Sequence, residues 1–356
     1  MSYTGKTKRK KLAIYGGRPY RPKNKFLVFG SPVIEREEIE EIEDSIRHRW
    51  IGTGPKVAKF EDAFASYKNA RFAVALNSCT AALHLSMLAG GIGPGDEVIT
   101  TAMTFCATIN AIIHAGATPV LADCDRSNMN ILPEEIKKKI TPKTKAILAV
   151  HFAGRPCDMN AIIKIATKYR LKIIEDCAHA IESEYHGKKT GTFGSSGCFS
   201  FYVTKNIITG EGGMVITENE KIASRIKTLA LHGMSKDAWR RFSDKGYKHY
   251  KVIYPGFKYN MMDIQAAIGI HQLKRIDLYW KRREAIWQRY SRTFRNLPCI
   301  LPPEPEPKTK HAYHLYTPLI DIKNLGKKRD WVLAALTAEN IGTGVHYIPV
   351  HLHPYY

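Results

Sequence analysis

Between Ala73 and Glu175 one pattern repeats: a short apolar run of strand composition, a turn, then a segment with helical spacing. Ala73 to Leu76, Glu97 to Thr100, Thr118 to Leu121, Ala146 to Phe152 and Lys172 to Glu175 read as strands. Thr80 to Leu88, Cys106 to His114, Glu134 to Ile140 and Met159 to Tyr169 read as the helices between them. Strands joined through helices pair in parallel, so the alternation calls for an α/β fold: a mostly parallel sheet with helices on both faces.

Two further strands, Cys198 to Tyr202 and Met214 to Thr217, enclose a loop, and Lys221 to Leu231 is helical. Asp263 to Leu273 begins a long helix that the basic segment Lys274 to Arg292 is expected to continue. The prolyl linker Pro302-Pro303-Glu304-Pro305-Glu306-Pro307 leads to a last strand, Tyr313 to Ile320, and a last helix, Trp331 to Glu339. At the other end, Gly16, Gly17, Pro19 and Pro22 mark an extended basic arm. It stops at Ser31 and Pro32, where Glu35 to Trp50 has the acidic start and basic end of a dipole-matched helix. The expected organisation is an arm over 1–30, a large domain over 31–270 and a smaller α+β domain over 271–356.

The net charge of +21 raises nucleic-acid binding as one possibility. Yet the cations fall in separate places (Lys6 to Lys11, Lys236 to Lys258, Lys274 to Arg292), and none carries a helix-turn-helix, zinc-finger or RNA-recognition signature. A solvated basic surface that attracts small anionic substrates is the better account. The seven cysteines stand singly in apolar segments with no CxxC pair, which favours free buried thiols over disulfides or a zinc site, and no metal is implied. No apolar run is long enough to cross a bilayer and no secretory signal opens the chain, so a soluble cytoplasmic protein is expected.

The string Phe199-Ser200-Phe201-Tyr202-Val203-Thr204-Lys205-Asn206 with Gly210-Glu211-Gly212-Gly213 puts Lys205 on a loop after an apolar strand and before a glycine-rich turn. That setting suits a lysine holding a cofactor aldehyde as a Schiff base. Asp176 closes the strand before it, and ligands of open α/β sheets bind outside the carboxyl ends of strands. A carboxylate there could keep the ring nitrogen of pyridoxal phosphate protonated; alone, an Asp at a strand end is usually a cap or a surface charge. Asn77-Ser78-Cys79-Thr80 lies between strand and helix, so its N–H groups could hold a phosphate or serve only as an ordinary N-cap. Ser200 offers another hydroxyl, and Phe105 could stack on a flat ring or belong to the core.

These segments together resemble the DegT/DnrJ/StrS family of pyridoxal-phosphate sugar aminotransferases, of the aspartate-aminotransferase fold (fold type I). The likeness runs from about Ile51 to the last residue. It is carried by Gly52-Thr53-Gly54-Pro55-Lys56-Val57 with Phe60-Glu61, Ser78 to Leu83, Gly93 to Ile99, Glu175-Asp176-Cys177-Ala178-His179-Ala180, the Lys205 string and Gly256 to Gly269. The resemblance implies that Lys205 forms the Schiff base and moves protons, and that Asp176 pairs with the ring nitrogen. It places His179 beside the ring hydroxyl, Phe105 on the ring face, and Ser200 with the Cys79 and Thr80 amides on the phosphate. Asn260 falls where a partner subunit reaches the phosphate, which implies a homodimer with shared sites.

Cys79 stands where the family more often has glycine, and Lys258 and Asn260 stand where Asn and Arg are frequent. The chain stops at Tyr356, short of the usual tail, so the small domain is expected to be incomplete. The implied reaction moves an amino group from glutamate to a keto-6-deoxy sugar on a nucleoside diphosphate, in surface-polysaccharide or glycan biosynthesis. The form Lys205-Asn206-Ile207-Ile208-Thr209-Gly210 looks more like the family's 4-keto than its 3-keto enzymes. Two alternatives are a deoxysugar dehydratase, whose family members replace the lysine that is present here, and a regulatory nucleic-acid-binding protein retaining the fold.

Overall fold

Side chains alternate along each central strand, and that period of two decides what the sheet buries on either face. The structure, a computed structural model, describes residues 11–235 and 250–356; the basic run at 6–10 and much of the stretch 236–258 lie outside them. The helices are α1 (Arg36–Arg47), α2 (Pro55–Lys68), α3 (Cys79–Ala89), α4 (Cys106–His114), α5 (Pro133–Lys138), α6 (Met159–Tyr169), α7 (Glu220–Ala230), α8 (Asp263–Lys274), α9 (Ile276–Phe294), α10 (Ile322–Leu325) and α11 (Arg329–Ala338). The strands are β1 (Phe72–Leu76), β2 (Glu97–Thr101), β3 (Thr118–Ala122), β4 (Thr144–Val150), β5 (Lys172–Asp176), β6 (Glu184–Tyr185), β7 (Lys188–Lys189), β8 (Ser196–Ser200), β9 (Gly213–Thr217), β10 (Cys299–Ile300), β11 (Thr309–Lys310) and β12 (Leu319–Ile320).

The main sheet has the order β1-β9-β8-β5-β4-β2-β3. The pairs β2 with β3, β2 with β4, β4 with β5 and β5 with β8 are parallel, while β9 is antiparallel to both neighbours. The sheet is therefore mostly parallel, as its helical connections require. Val74, Leu76, Leu148, Ile174, Cys198 and Val215 project into a core shared with α3 and α7. Their neighbours Ala73, Ala75, Phe199, Met214 and Ile216 project to the opposite face, against Phe60 and Phe64 of α2 and Ala266 and Ile270 of α8. Farther along that face Ile99, Ile147 and Ile173 meet Ile162 and Ala166 of α6. Helices α2 and α8 approach so closely that a Cβ on Gly269 would lie 2.6 Å from the Phe60 ring.

Buried Asp263, the first residue of α8, organises the start of α2: its carboxylate accepts the N–H groups of Gly54 (2.8 Å), Lys56 (3.1 Å) and Val57 (2.9 Å). Those are among the donors a helix start leaves unpaired, so one side chain from far along the chain completes the entry of α2. Gly54 at the N-cap brings no side chain of its own, so Pro55 at the first helical position is the local mark of this start.

Three expected elements differ. The long helix over 263–292 is two helices, because Arg275 leaves helical geometry (φ −101°, ψ 4°) where its guanidinium meets Glu38 and, at 3.6 Å each, Glu35 and Glu37. The strand expected over 313–320 survives only as β12; His311 and Tyr313 instead pack their rings on Trp287 at 4.9 and 5.3 Å. Helix α5 stops at Lys138. Among the cysteines, all free, Cys157, Cys177 and Cys198 are buried as expected, whereas Cys79, Cys106, Cys124 and Cys299 are half-buried. No helix among the described residues is long and apolar enough to cross a membrane.

Candidate active site

The carboxyl ends of β5 and β8 and the start of α3 converge on one cavity of about 470 Å³. Cys79, Thr80, Phe105, Asp176, His179, Ser200 and Lys205 all line it. Asn260, expected at the site of a partner subunit, does not line the cavity of its own chain. Its amide donates to the Thr53 hydroxyl (2.6 Å) of the same chain, and it lines a second cavity of about 400 Å³ with Trp50, Glu61 and Lys227.

At the floor, Asp176 ends β5 fully enclosed. Its Oδ2 accepts from the Thr108 hydroxyl (2.9 Å) and its Oδ1 from the Ala178 N–H (3.1 Å). Burial pushes its carboxyl above the usual carboxylate range; those hydrogen bonds and the Lys205 charge pull it back. Lys205 sits between β8 and β9, and burial draws its ammonium below the ordinary lysine range against the pull of Cys79 and Asp176. More of its amine is consequently uncharged near neutral pH than on an exposed lysine.

The glycine turn beyond Lys205 has a steric reason. A Cβ on Gly213 would lie 2.4 Å from the Ser78 carbonyl and 2.6 Å from the Cys79 nitrogen, so only glycine lets β9 pass the start of α3. There the Ser78 hydroxyl accepts from Ala81 (3.1 Å), while helix geometry leaves the first N–H groups, those of Cys79 and Thr80, without intrahelical partners. Ser200 at the end of β8 borders the same cavity. An anion belongs at this end.

His179 stacks on His314 (4.5 Å, 28°), and its Nε2 shares a hydrogen bond with the Tyr347 hydroxyl (3.1 Å). Burial, with Lys205, His314 and His346 nearby, holds it well below the usual imidazole range, so it is neutral. Phe105 precedes α4 at the N-cap position, is 58% exposed, and its ring lies 5.9 Å from the Tyr347 ring.

Several residues of the site escaped sequence reasoning. Thr108 orients Asp176, while Thr204, His346 and Tyr347 form walls. Asn206, next to the lysine, donates to Glu182 (2.7 Å), which pairs with Arg283 of α9; its Oδ1 then accepts from His314 Nδ1 (2.7 Å). Glu175 is a hub beneath the site: Gly191 (2.7 Å), Phe193 (2.7 Å) and Gly194 (2.9 Å) donate to it. His151 Nε2 faces it at 3.1 Å, and because His151 Nδ1 accepts from the Cys157 N–H, Nε2 carries the proton. His151, Glu175 and Cys177 form the one group among the described residues compact enough for a metal, but the first two are spent on these bonds.

The donor set fits a flat, phosphate-bearing pyridine aldehyde: free N–H groups at the start of α3, a half-exposed aromatic wall, a buried carboxylate and a half-buried lysine around one cavity.

A family model described as the DegT/DnrJ/EryC1/StrS aminotransferase family matches residues 32–356. The chain is 50% identical over 335 residues to the spore coat polysaccharide biosynthesis protein SpsC of Bacillus subtilis, covering 94% of this chain and 86% of that one. Among solved structures it is similar to Spr1654 of Streptococcus pneumoniae in its PMP form (32% identity, TM-score 0.87, 93% of this chain and 88% of that one). It is likewise similar to DesI in the presence of its TDP-sugar product (30% identity, TM-score 0.85, 97% and 85%).

Proposed function

Since the chain belongs to the DegT/DnrJ/EryC1/StrS aminotransferase family and is a pyridoxal-phosphate-dependent sugar aminotransferase, we propose that it aminates C4 of a keto-6-deoxy sugar linked to a nucleoside diphosphate, with glutamate as donor. The observation that carries this reading is the meeting of half-buried Lys205 and buried Asp176 in one cavity beside the open start of α3. The TDP-sugar product of DesI supports a nucleotide-linked acceptor, and the polysaccharide role of SpsC supports a place in surface-polysaccharide biosynthesis. Seven free thiols suit the reducing cytoplasm.

Pyridoxal phosphate, when bound, supplies an aldehyde for amine attachment and a ring that withdraws electrons from the reacting carbon. The Cys79 and Thr80 N–H groups, with Ser200, would hold its phosphate at the helix start. Phe105 would cover the ring face and neutral His179 would border the ring. Asp176 would keep a proton on the ring nitrogen. Lys205 would supply the amine that holds the aldehyde, and its Nζ would take a proton from one carbon of the substrate and return it to the next.

The test follows the absorbance of the cofactor-loaded protein. Glutamate is expected to bleach the visible-edge band, and of UDP-, GDP- and dTDP-linked keto sugars a 4-keto-6-deoxy compound is expected to restore it. A protein indifferent to glutamate, or restored only by 3-keto sugars, overturns the donor or the C4 assignment respectively.

The enzyme works as a homodimer in this reading. On that reading Asn260, which lies outside the Lys205 cavity of its own chain and lines another beside the exposed Trp50, reaches the partner's phosphate. Mixing Lys205→Ala with Asn260→Ala protein, once subunit exchange is shown by native mass spectrometry, should return a minority of parental activity. Exchange without recovered activity, or an active species that sediments as a monomer, removes the shared site.

A further inference from the structure

The basic arm ends at the mouth of the cavity. Leu27 runs parallel to Ile341; its N–H donates to the Asn340 carbonyl (2.9 Å) and its own carbonyl accepts from Gly342 (2.8 Å). Two residues on, the Phe29 ring lies 5.7 Å from the His346 ring, and a Cβ on Gly344 would come within 3.1 Å of it. Gly30 takes a left-handed conformation (φ +68°), where a Cβ would meet Thr204 Cγ2 at 2.8 Å. His346 and Thr204 line the cavity that holds Lys205. The arm tip thus packs against His346 and Thr204, two residues that line the site, and stands directly behind that part of its wall.

Two properties of this wall point to a ligand. Phe29 stays 42% exposed despite those contacts, leaving aromatic surface open beside the entrance. From residue 11 to residue 30 the arm carries Lys11, Arg18, Arg21, Lys23 and Lys25 and no carboxylate. A flat ring on a cationic strand suits a base attached to phosphates: every nucleobase offers a face for stacking, and the cations attract the diphosphate. Glutamate has neither a base nor a phosphate to use.

Resting on the nucleotide-sugar reading above, we propose that Phe29 is a specificity-determining residue, stacking on the base of the acceptor's nucleoside diphosphate at the rim formed by the arm. Acceptor binding then depends on the arm, whereas reaction with the donor does so far less.

The test measures binding of UDP, GDP and dTDP to the cofactor-loaded full chain by calorimetry, together with the rates of both half-reactions, for the parent and for Phe29→Ala, Phe29→Leu and Phe29→Tyr. The leucine and tyrosine variants keep the bulk against His346 and Gly344 and guard against loss of folding. The parent is expected to bind at least one nucleotide, less tightly as salt rises. Alanine and leucine should weaken that binding by about tenfold or more, the scale of a lost base stack, and tyrosine should restore it. The acceptor half-reaction should fall by a similar factor more than the glutamate half-reaction. Equal nucleotide affinity in all four proteins, or a parallel fall of both half-reactions, overturns the proposal. A parent that bleaches with glutamate yet binds none of the three nucleotides overturns the nucleotide-linked acceptor itself and takes the proposal with it.

Discussion

Replacing Lys205 with alanine is expected to abolish turnover while leaving the fold in place. The Lys205 side chain is not a structural support: among the described residues no hydrogen bond or ion pair holds its amine, and the loop is fixed instead by its backbone, with the Lys205 N–H on the Tyr202 carbonyl (2.8 Å). What the substitution removes is an amine that burial has shifted toward its uncharged form. Losing a positioned acid and base alone costs roughly 10²- to 10⁴-fold, and the attachment point for the cofactor goes with it. Lys205→Arg should fare no better, since a guanidinium stays protonated and cannot accept the proton. Rates of both half-reactions and unfolding curves check this. Borohydride treatment of the cofactor-loaded parent should leave the adduct on Lys205, and an adduct mapped to another lysine would refute the assignment.

Asp176→Asn is expected to bind cofactor and lose most activity. The amide preserves size: its oxygen can still accept from the Ala178 N–H, and its NH2 can donate to the Thr108 hydroxyl in place of accepting from it, so the floor of the cavity stays built. It cannot hold a proton on the ring nitrogen, because that requires a negative partner. A buried electrostatic contact of this kind is worth roughly 10²- to 10³-fold in rate. Absorbance titration separates the two roles: near-parental cofactor affinity with a large fall in rate assigns Asp176 to the chemistry, and near-parental rates assign it to packing.

The parts of this site that could be read from sequence share one property: each stands at the end of a strand or the start of a helix, where local pattern fixes position. Asp176 closes β5, Ser200 closes β8, Lys205 follows it, and Cys79 and Thr80 open α3. The alternation of strands and helices was legible for the same reason. What escaped depends on contacts between distant segments. Thr108 meets Asp176 across 68 positions, and Tyr347 meets His179 across 168. Asp263 caps α2 from more than two hundred residues away, and α1 draws Arg275 out of the helix that periodicity alone would continue. Glu175 looks like one more strand residue until three N–H groups from 191–194 are seen to converge on it. The arm's Pro and Gly content marked it as extended, but only the pairing of Leu27 with Ile341 shows where it goes.

The lysine loop is stitched shut at its base: Phe201 donates to the Gly212 carbonyl (2.9 Å), Thr209 donates to that of Phe201 (2.8 Å), and the Thr209 hydroxyl binds the Glu211 carbonyl (2.6 Å). A segment closed this way opens only by breaking these bonds at the end of the β8–β9 ladder, which lies inside the sheet, so its backbone shares the protection of the strands it joins. Lys205 must therefore swing by rotation about its own side-chain bonds, a picosecond-to-nanosecond motion, while the backbone beneath it stays still. The clock of the catalytic cycle is then set elsewhere, in proton transfer itself or in the arrival and departure of substrates past the arm. Amide hydrogens of 201, 209 and 213 should exchange as slowly as those of the sheet.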